Sequence, residues 1–355
     1  AGTLGVTHLD DLLTLPTARG SAHYGKIDLT SDLPRRPGVY FFVDRDGSVI
    51  YVGKAKNVRS RVRSYFYGDD RRSVAQMLRD LDRIDYRVCE TELEAEVIEL
   101  RLIAEHTPRY NRRSRPPRSQ TWVKLTTERF PRLSMVRSVR DDGALYLGPY
   151  RSRKSAEVVV HAIWDAVPIR RCTTRGTTRS AACSFGQLGT ALCPCDGTVD
   201  ADAYQAVVDR VRSGVEHDPA PMLTTLRERM TRLARDQRFE DAAVVRDRYR
   251  SLARSLERRR AWQSLAAAGT LWAEDSRGDG VVVRHGRLVG SWNAQSQSPL
   301  IAAEDPRSDR AQTPASVHVA DEAHLIWRWL DREGVRIVQS TGTLALPVRA
   351  VPALR

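Results

Sequence analysis

Residues 38–57 read Gly38-Val39-Tyr40-Phe41-Phe42-Val43, then Asp44-Arg45-Asp46-Gly47, then Ser48-Val49-Ile50-Tyr51-Val52-Gly53, and end in Lys54-Ala55-Lys56-Asn57. Two runs rich in β-branched and aromatic residues flank a short polar loop with an Asp-Gly turn signal, so the stretch predicts a β-hairpin. Asn57 offers an N-cap for a helix carrying Arg59, Arg61 and Arg63. A second helix is predicted over Ser73 to Leu81 and a returning strand over Ile84 to Cys89. Thr91 with Glu94 three residues on reads as a capping box, opening a helix to about His106 whose Leu93, Val97, Leu100 and Ala104 fall on one stripe. Residues 34–111 therefore predict a small antiparallel sheet flanked by helices, an α+β module.

At 355 residues the chain has room for two or three domains with their own cores. Lys and Arg number 57 against 44 Asp and Glu, for a formal charge of +13. That balance suits a phosphate-backbone partner and says nothing of an activity. Only Lys26, Lys54, Lys56, Lys124 and Lys154 are lysines. Where arginine serves as the generic cation, the Lys54-Ala55-Lys56 triplet calls for a compact ammonium. No apolar run reaches the 18 or so residues of a membrane span and no secretory pattern opens the chain, so a soluble, cytoplasmic protein with no membrane partner is expected. Five cysteines, an odd number, favour metal binding over a disulfide framework. The chain begins at Ala1, so residues 1–33 are read as an extension within a longer natural chain.

Arg109, Arg112, Arg113, Arg115 and Arg118 crowd a segment held extended by Pro116 and Pro117; it reads either as a solvated linker or as a strap along DNA phosphates. Within 112–200, a second α+β segment carries Cys172, Cys183, Cys193 and Cys195. Four thiolates suit an iron-sulfur cluster or zinc, and their spacing does not separate the two. In 201–262, Leu226, Met230, Leu233, Ala234, Ala242, Ala243, Val245 and Leu252 recur at helical spacing and predict two antiparallel helices between about Met222 and Arg260. Residues 263–355 read as a small α/β tail.

Gly38-Val39-Tyr40 and Tyr51-Val52-Gly53 at the two ends of one hairpin, with Lys54 and Arg61 behind them, resemble the GIY-YIG nuclease family. Thr91-Glu92-Leu93-Glu94-Ala95, Glu99 and Pro108-Arg109-Tyr110-Asn111 are similar to its UvrC/Cho excision-repair branch. So are Phe130-Pro131-Arg132-Leu133 and Gly148-Pro149-Tyr150. Phe239-Glu240-Asp241-Ala242-Ala243 with Arg246-Asp247 resembles the UVR motif, by which such proteins pair with the UvrB-type damage-loading helicase; Phe239, Glu240, Ala243, Arg246 and Asp247 are the expected contacts. The cysteines follow the branch except that Cys193 is displaced, giving Cys-Pro-Cys. The Tyr40 to Tyr51 interval is about one residue long for the branch, an excess assigned to the hairpin turn. Beyond Gly290 no room is expected for the branch's second, RNase H-like nuclease, and some relatives carry a proofreading-type exonuclease upstream.

Phosphodiester hydrolysis needs an activated water, a cation against developing negative charge and a metal bridging phosphate oxygens. A lone carboxylate suits Mg²⁺ or Mn²⁺, which keep several waters. The resemblance assigns the metal to Glu99, the water to Tyr51 with Tyr40 beside it, phosphate stabilisation to Arg61 and Lys54, and organisation of the site to Asn111. Lys56, Arg59, Arg63, Arg109, Arg112, Arg113, Arg115 and Arg118 are expected along damaged duplex DNA. The implied function is a metal-dependent endonuclease of nucleotide excision repair making one nick, 3′ to the lesion. The alternatives are a non-cutting adaptor for DNA and the helicase, and a structure-specific nuclease outside excision repair. Singly, each residue has a plainer reading: a packed tyrosine, a solvated arginine, or an acidic stripe of Glu92, Glu96 and Glu99.

Overall fold

The hairpin forms between β1 (Gly38–Val43) and β2 (Val49–Ala55), and β3 (Arg83–Val88) pairs antiparallel on the other side of β1, giving the order β2-β1-β3. The computed structural model describes residues 24–67, 71–112, 114–173, 182–296, 313–344, 351, 352 and 354. Arg113 and residues 1–23 of the expected extension lie outside them. The turn is closed by Asp44, whose Oδ1 accepts from the Asp46 and Ser48 amides, and by Gly47 at φ 77°. The irregularity of the hairpin lies beyond this turn: Phe42 pairs with Tyr51 but Val43 pairs with Val49, so Ile50 forms a β-bulge. A bulge bends its strand and re-aims the next side chain, here Tyr51.

Both motif glycines stand where a Cβ does not fit. A methyl group on Gly38 would sit 2.4 Å from the Arg87 carbonyl oxygen across the β1–β3 pairing, and one on Gly53 would sit 2.4 Å from the Tyr40 ring and hydroxyl. Helices α1 (Val58–Arg63), capped by the Asn57 side chain, and α2 (Arg72–Asp80) close over one sheet face, burying Tyr40, Phe42, Val58, Val62 and Phe66. On the other face α3 (Glu92–His106) buries Ala95, Ile98 and Ile103 against Val39 and Val52. The capping box forms in part: Thr91 Oγ1 accepts from the Glu94 amide, whereas the Glu94 carboxylate takes the Glu90 amide.

By their contacts the residues fall into two compact units. The first draws its described residues from 1–116, 268–308 and 321–343. Besides the hairpin sheet it holds a second antiparallel sheet, β10-β7-β8-β9, of β7 (Thr270–Glu274), β8 (Gly280–Arg284), β9 (Arg287–Trp292) and β10 (Arg336–Ser340). These strands, read from sequence as a terminal tail, share their unit with the hairpin.

The second unit holds a three-stranded sheet of β4 (Thr121–Leu125), β5 (Leu133–Val136) and β6 (Leu145–Tyr150), ordered β5-β4-β6. The same unit holds α4 (Arg153–Ala166), which lies against all three strands, a short α5 (Ser184–Gln187), α6 (Ala201–Glu216), α7 (Ala220–Arg235) and α8 (Phe239–Ala267), which meets β6. Of the positions read at helical spacing, Leu226, Ala242, Val245 and Leu252 are buried, Met230, Leu233 and Ala243 are half-buried and Ala234 is exposed. Two arginines, Arg229 of α7 and Arg248 of α8, converge on the buried Asp165 of α4 at 3.2 and 2.6 Å. Helix α8 runs past the predicted end near Arg260, because Trp262 and Leu265 are core residues and Arg259 donates to the Tyr146 carbonyl. Helix α9 (Val317–Leu330) belongs to the first unit from Asp321 on. Among the described residues no helix is long and apolar enough to cross a membrane.

Because the Gly53 site is filled by the Tyr40 ring, Gly53→Ala should destabilise the hairpin unit by about 1–3 kcal/mol, the usual penalty for overpacking a core. Urea unfolding monitored by tyrosine fluorescence checks this; an unchanged midpoint would show that Tyr40 yields freely.

Candidate active site

Three tyrosines meet where α1 ends beside the sheet. The hydroxyls of Tyr40 and Tyr65 are 2.9 Å apart, and Tyr65 donates to the Tyr51 hydroxyl at 3.2 Å. Arg61, one helical turn before Tyr65, donates to the Tyr65 hydroxyl at 3.4 Å and lies with its guanidinium carbon 5.0 Å from the centre of the Tyr65 ring. The rings of Tyr40, Tyr51, Tyr65 and Phe42 stack in tilted and edge-on pairs, a rigid aromatic wall. Tyr65 is the hub that the sequence reading missed. Its signal was its place four residues after Arg61, on the same side of a helical turn.

Tyr40 is 1% exposed, so its hydroxyl supports the cluster from beneath and does not face solvent. Tyr51 is half-buried and reaches a cleft of about 440 Å³ that is also lined by Arg61, Arg71, Arg112 and Asn111. Burial, with Tyr65 and Glu99 nearby, holds the Tyr51 phenol well above its ordinary pKa, and Arg61 opposes the shift. Tyr51 is thus neutral at rest, a hydroxyl that orients a water by hydrogen bonding more readily than a resident tyrosinate base.

Asn111 acts through the backbone. Its Oδ1 accepts from the Val52 amide and its Nδ2 donates to the Val52 carbonyl, both at 2.8 Å, while the Tyr110 amide donates to the Ile50 carbonyl at 3.0 Å. Residues 110–111 thereby satisfy the outer edge of β2, the strand that carries Tyr51, Gly53 and Lys54.

The acidic stripe on α3 is tied to that strand's end. Lys54 pairs with Glu96, and Lys56 with Glu92 at 2.8 Å. Both lysines were expected on phosphate; here they neutralise α3 carboxylates, leaving Glu99 as the acid of the stripe without a lysine ion pair. Burial lifts the Glu99 carboxyl to about 7, Lys54 pulls it down and Glu96 adds to the rise. A single half-buried carboxylate near enough to Tyr51 to raise its pKa is a hard oxygen donor, the kind of ligand that fits Mg²⁺ or Mn²⁺.

The arginines expected along DNA stand in different surroundings. Positions 59, 61 and 63 cannot share one helix face, since alternate residues lie about 200° apart. Arg61 is exposed, Arg59 is half-buried and Arg63 is 7% exposed. Arg109 pairs with Asp44 and Asp80, and Arg115 donates to the Pro108 carbonyl at 2.8 Å, so neither is a loose strap residue. Arg112 lines the cleft, as does Arg71, which no motif announced, and Arg118 is exposed.

In the second unit the sulfurs of Cys172, Cys183 and Cys193 lie within 4.8 Å of one another. Cys195 is not within 4.8 Å of all three but adjoins Cys183: a 3-10 turn over Pro194–Asp196 carries it round, and its sulfur accepts from the Cys183 amide at 3.2 Å. Against a burial penalty, bonds from the Gly186 amide and from Cys193 and Cys195 bring the Cys183 thiol down to about 7, whereas burial pushes Cys193 up to about 12. Three convergent soft sulfurs fit a thiophilic metal. On the helical hairpin Phe239 is 66% exposed, Glu240 and Asp247 are exposed, Ala243 is half-buried and Arg246 pairs with Asp247.

Comparison with known proteins adds three family matches in chain order. Residues 36–112 match the UvrC-like GIY-YIG domain, 120–214 the UvrC/Cho excinuclease middle domain, and 222–254 the UvrB/uvrC motif. A Mycobacterium tuberculosis protein named as a bifunctional exonuclease/endonuclease is 38% identical over 342 residues, covering 91% of this chain and 52% of its own. The UvrABC system protein C of Moorella thermoacetica is 34% identical over 322 residues, covering 84% and 52%. The chain thus spans about half the length of these curated relatives. A crystal structure of the magnesium-bound GIY-YIG N-terminal endonuclease domain of UvrC from Thermotoga maritima is 35% identical, with a TM-score of 0.22, over 25% of this chain and 94% of that one.

With Glu99 as the expected metal ligand, a proton and the cation would compete for its carboxylate, and only the ionised form would bind the cation. Mn²⁺ affinity should therefore fall roughly tenfold per unit as pH drops below about 7 and level off above it. Calorimetric titration between about pH 5 and 8 reads this; a pH-independent dissociation constant would exclude Glu99 as the ligand.

Proposed function

Since the chain belongs to the UvrC/Cho excision-repair family, we propose that it is a metal-dependent DNA endonuclease that nicks a damaged strand once, 3′ to the lesion, after loading by a UvrB-type helicase. The observation that carries the proposal is the Tyr40–Tyr65–Tyr51 hydroxyl chain, joined at Tyr65 by Arg61 and coupled electrostatically to Glu99. An adaptor without catalysis has no use for buried hydroxyls bonded in series and opening onto an arginine-lined cleft.

In this reading Arg61, Arg71 and Arg112 draw the phosphodiester into the cleft, where three guanidinium groups offset its charge. Tyr51 orients the attacking water. Tyr65 fixes the Tyr51 hydroxyl by donating to it, and Tyr40 fixes Tyr65 from beneath. Mg²⁺ or Mn²⁺ held by Glu99 would supply a positive charge against the phosphate oxygens. Arg61 stabilises negative charge as it grows in the transition state, the largest electrostatic contribution available from side chains here. Asn111 keeps β2 in register and so keeps Tyr51 aimed.

Exposed Phe239 and Val244 on α8 are the apolar surface for the helicase hairpin. Because the Phe239 ring is exposed, its removal empties no core position of this chain. The Cys172, Cys183 and Cys193 group is proposed to hold an iron-sulfur cluster, the family resemblance favouring it over zinc.

One assay tests the catalytic and partner roles together. A duplex with one defined lesion, labelled at either end, is incubated with helicase partner and Mg²⁺. Wild type gives a single nick 3′ to the lesion. Glu99→Gln cuts at least about 100-fold more slowly while binding DNA, because it loses a metal ligand at constant volume. Phe239→Ala keeps its melting temperature but loses helicase-dependent cutting. Undiminished cutting by Glu99→Gln refutes the metal role; helicase-dependent cutting by Phe239→Ala refutes the docking role.

For the cysteines, protein purified without oxygen is expected to contain iron and to absorb broadly in the visible. Zinc in its place corrects the metal; neither metal with free thiols removes the proposal.

A further inference from the structure

The acidic face of α3 that carries Glu99 is matched by a second face used very differently. Positions 92, 96 and 99 turn towards the end of β2, where Lys56 and Lys54 meet the first two. Positions 94 and 101, seven residues apart and so on one face of the helix, are held by the C-terminal sheet of the same unit. Ser291 of β9 donates to the Glu94 carboxylate at 2.8 Å, and Asn293, just past that strand, donates to the Glu90 carboxylate.

The strongest of these links is centred on Glu322 of α9, whose side chain is 2% exposed. Arg101 grips it with two bonds, Nη2 to Oε1 at 2.6 Å and Nε to Oε2 at 3.1 Å, and its Nη2 also donates to the Leu288 carbonyl at 2.7 Å. Arg287 pairs with the same carboxylate at 2.9 Å, and the Leu288 amide donates to it at 2.9 Å. Removing one member of a buried ion pair leaves an uncompensated charge, so such an arrangement is rigid once made. A bidentate guanidinium–carboxylate pair also fixes an angle as well as a distance. Arg101 lies two residues after Glu99, on the same helical turn.

We infer that Arg101 and Glu322 are positioning residues for Glu99: through them the C-terminal sheet sets the rotation and height of α3 and so places the carboxylate that binds the divalent cation. This rests on the proposed metal role of Glu99. It gives the strands after residue 268 a part in the nuclease site although they contribute no side chain to the cleft. Outer partners that orient a metal ligand alter affinity by about 10–100-fold when lost.

The test uses the whole chain and compares wild type, Arg101→Met, Arg101→Lys and Glu99→Gln. Arg101→Met keeps the stem that packs and removes the fork. Glu322 then stays paired with Arg287 and the Leu288 amide, so the C-terminal sheet keeps its internal contacts. Mn²⁺ affinity is measured by calorimetry, and nicking is measured against Mg²⁺ concentration. The expected result is Mn²⁺ binding weakened about tenfold in Arg101→Met and less in Arg101→Lys, which retains the charge without the two-pronged geometry. Nicking should recover towards the wild-type rate at excess Mg²⁺. A general loss of folded protein gives no such recovery, which separates positioning from mere stability. If Arg101→Met does not fold, Arg101→Lys alone decides. Wild-type Mn²⁺ affinity in a folded Arg101 variant, with binding abolished in Glu99→Gln, overturns this inference and leaves the nuclease proposal standing. Wild-type Mn²⁺ affinity in Glu99→Gln overturns both.

Discussion

The outer edge of β2 has to be closed, and a single carboxamide closes it. An edge strand exposes backbone donors and acceptors that need partners when partly buried. Asn111 satisfies both polar groups of Val52, and Tyr110 takes the Ile50 carbonyl beside the bulge. Between them stands Tyr51, with Gly53 and Lys54 just beyond. If this edge slipped by one residue, Tyr51 would turn to the other face of the sheet and Gly53 would no longer make room for Tyr40. The hydroxyl chain, the cleft and the lysine–glutamate pairs to α3 all depend on that register.

Charge is used in three distinct ways. The arginine excess supplies the cleft cations Arg61, Arg71 and Arg112, where planar guanidinium groups suit phosphate. Arginines are also spent inside each unit: Arg229 and Arg248 on buried Asp165 join α7 and α8 to α4, and Arg101 and Arg287 on buried Glu322 join α3 to the C-terminal sheet. The two lysines of the Lys54-Ala55-Lys56 triplet serve a third purpose, each pairing with one carboxylate of the α3 stripe. Formal charge alone does not distinguish these uses, because a guanidinium on a buried carboxylate and one facing a cleft count equally in the sum.

Among the aromatics the site is layered by depth. Tyr40 is buried, Tyr65 lies just beneath the surface and Tyr51 reaches the cleft. Each hydroxyl is therefore oriented by the one below it, and the only charged member, Arg61, joins the chain at Tyr65. Such preorganisation lets hydrogen bonds reach a reacting group without moving at the moment of reaction.

Much of this was legible in the chain itself. The Asp-Gly turn, the β-branched runs around it, the Asn57 and Thr91 caps and the helical period of 226–252 are local signals, and local sterics and hydrogen bonding decide them; the hairpin, α1, α3 and the paired helices follow. Tyr40, Tyr51, Arg61, Glu99 and Asn111 could be named through the family resemblance that their motifs carry. Tertiary structure alone decided the rest. It made Tyr65 the hub, because only packing on Tyr40 and Phe42 turns that hydroxyl inward. It buried Arg63, and it tied down Arg109, because the acids that hold Arg109, Asp44 and Asp80, come from distant segments. It placed the C-terminal sheet against α3 through Arg101 and Glu322, a pair 221 residues apart. No local pattern encodes that distance; it arises when two buried surfaces meet and a charge between them must find its partner.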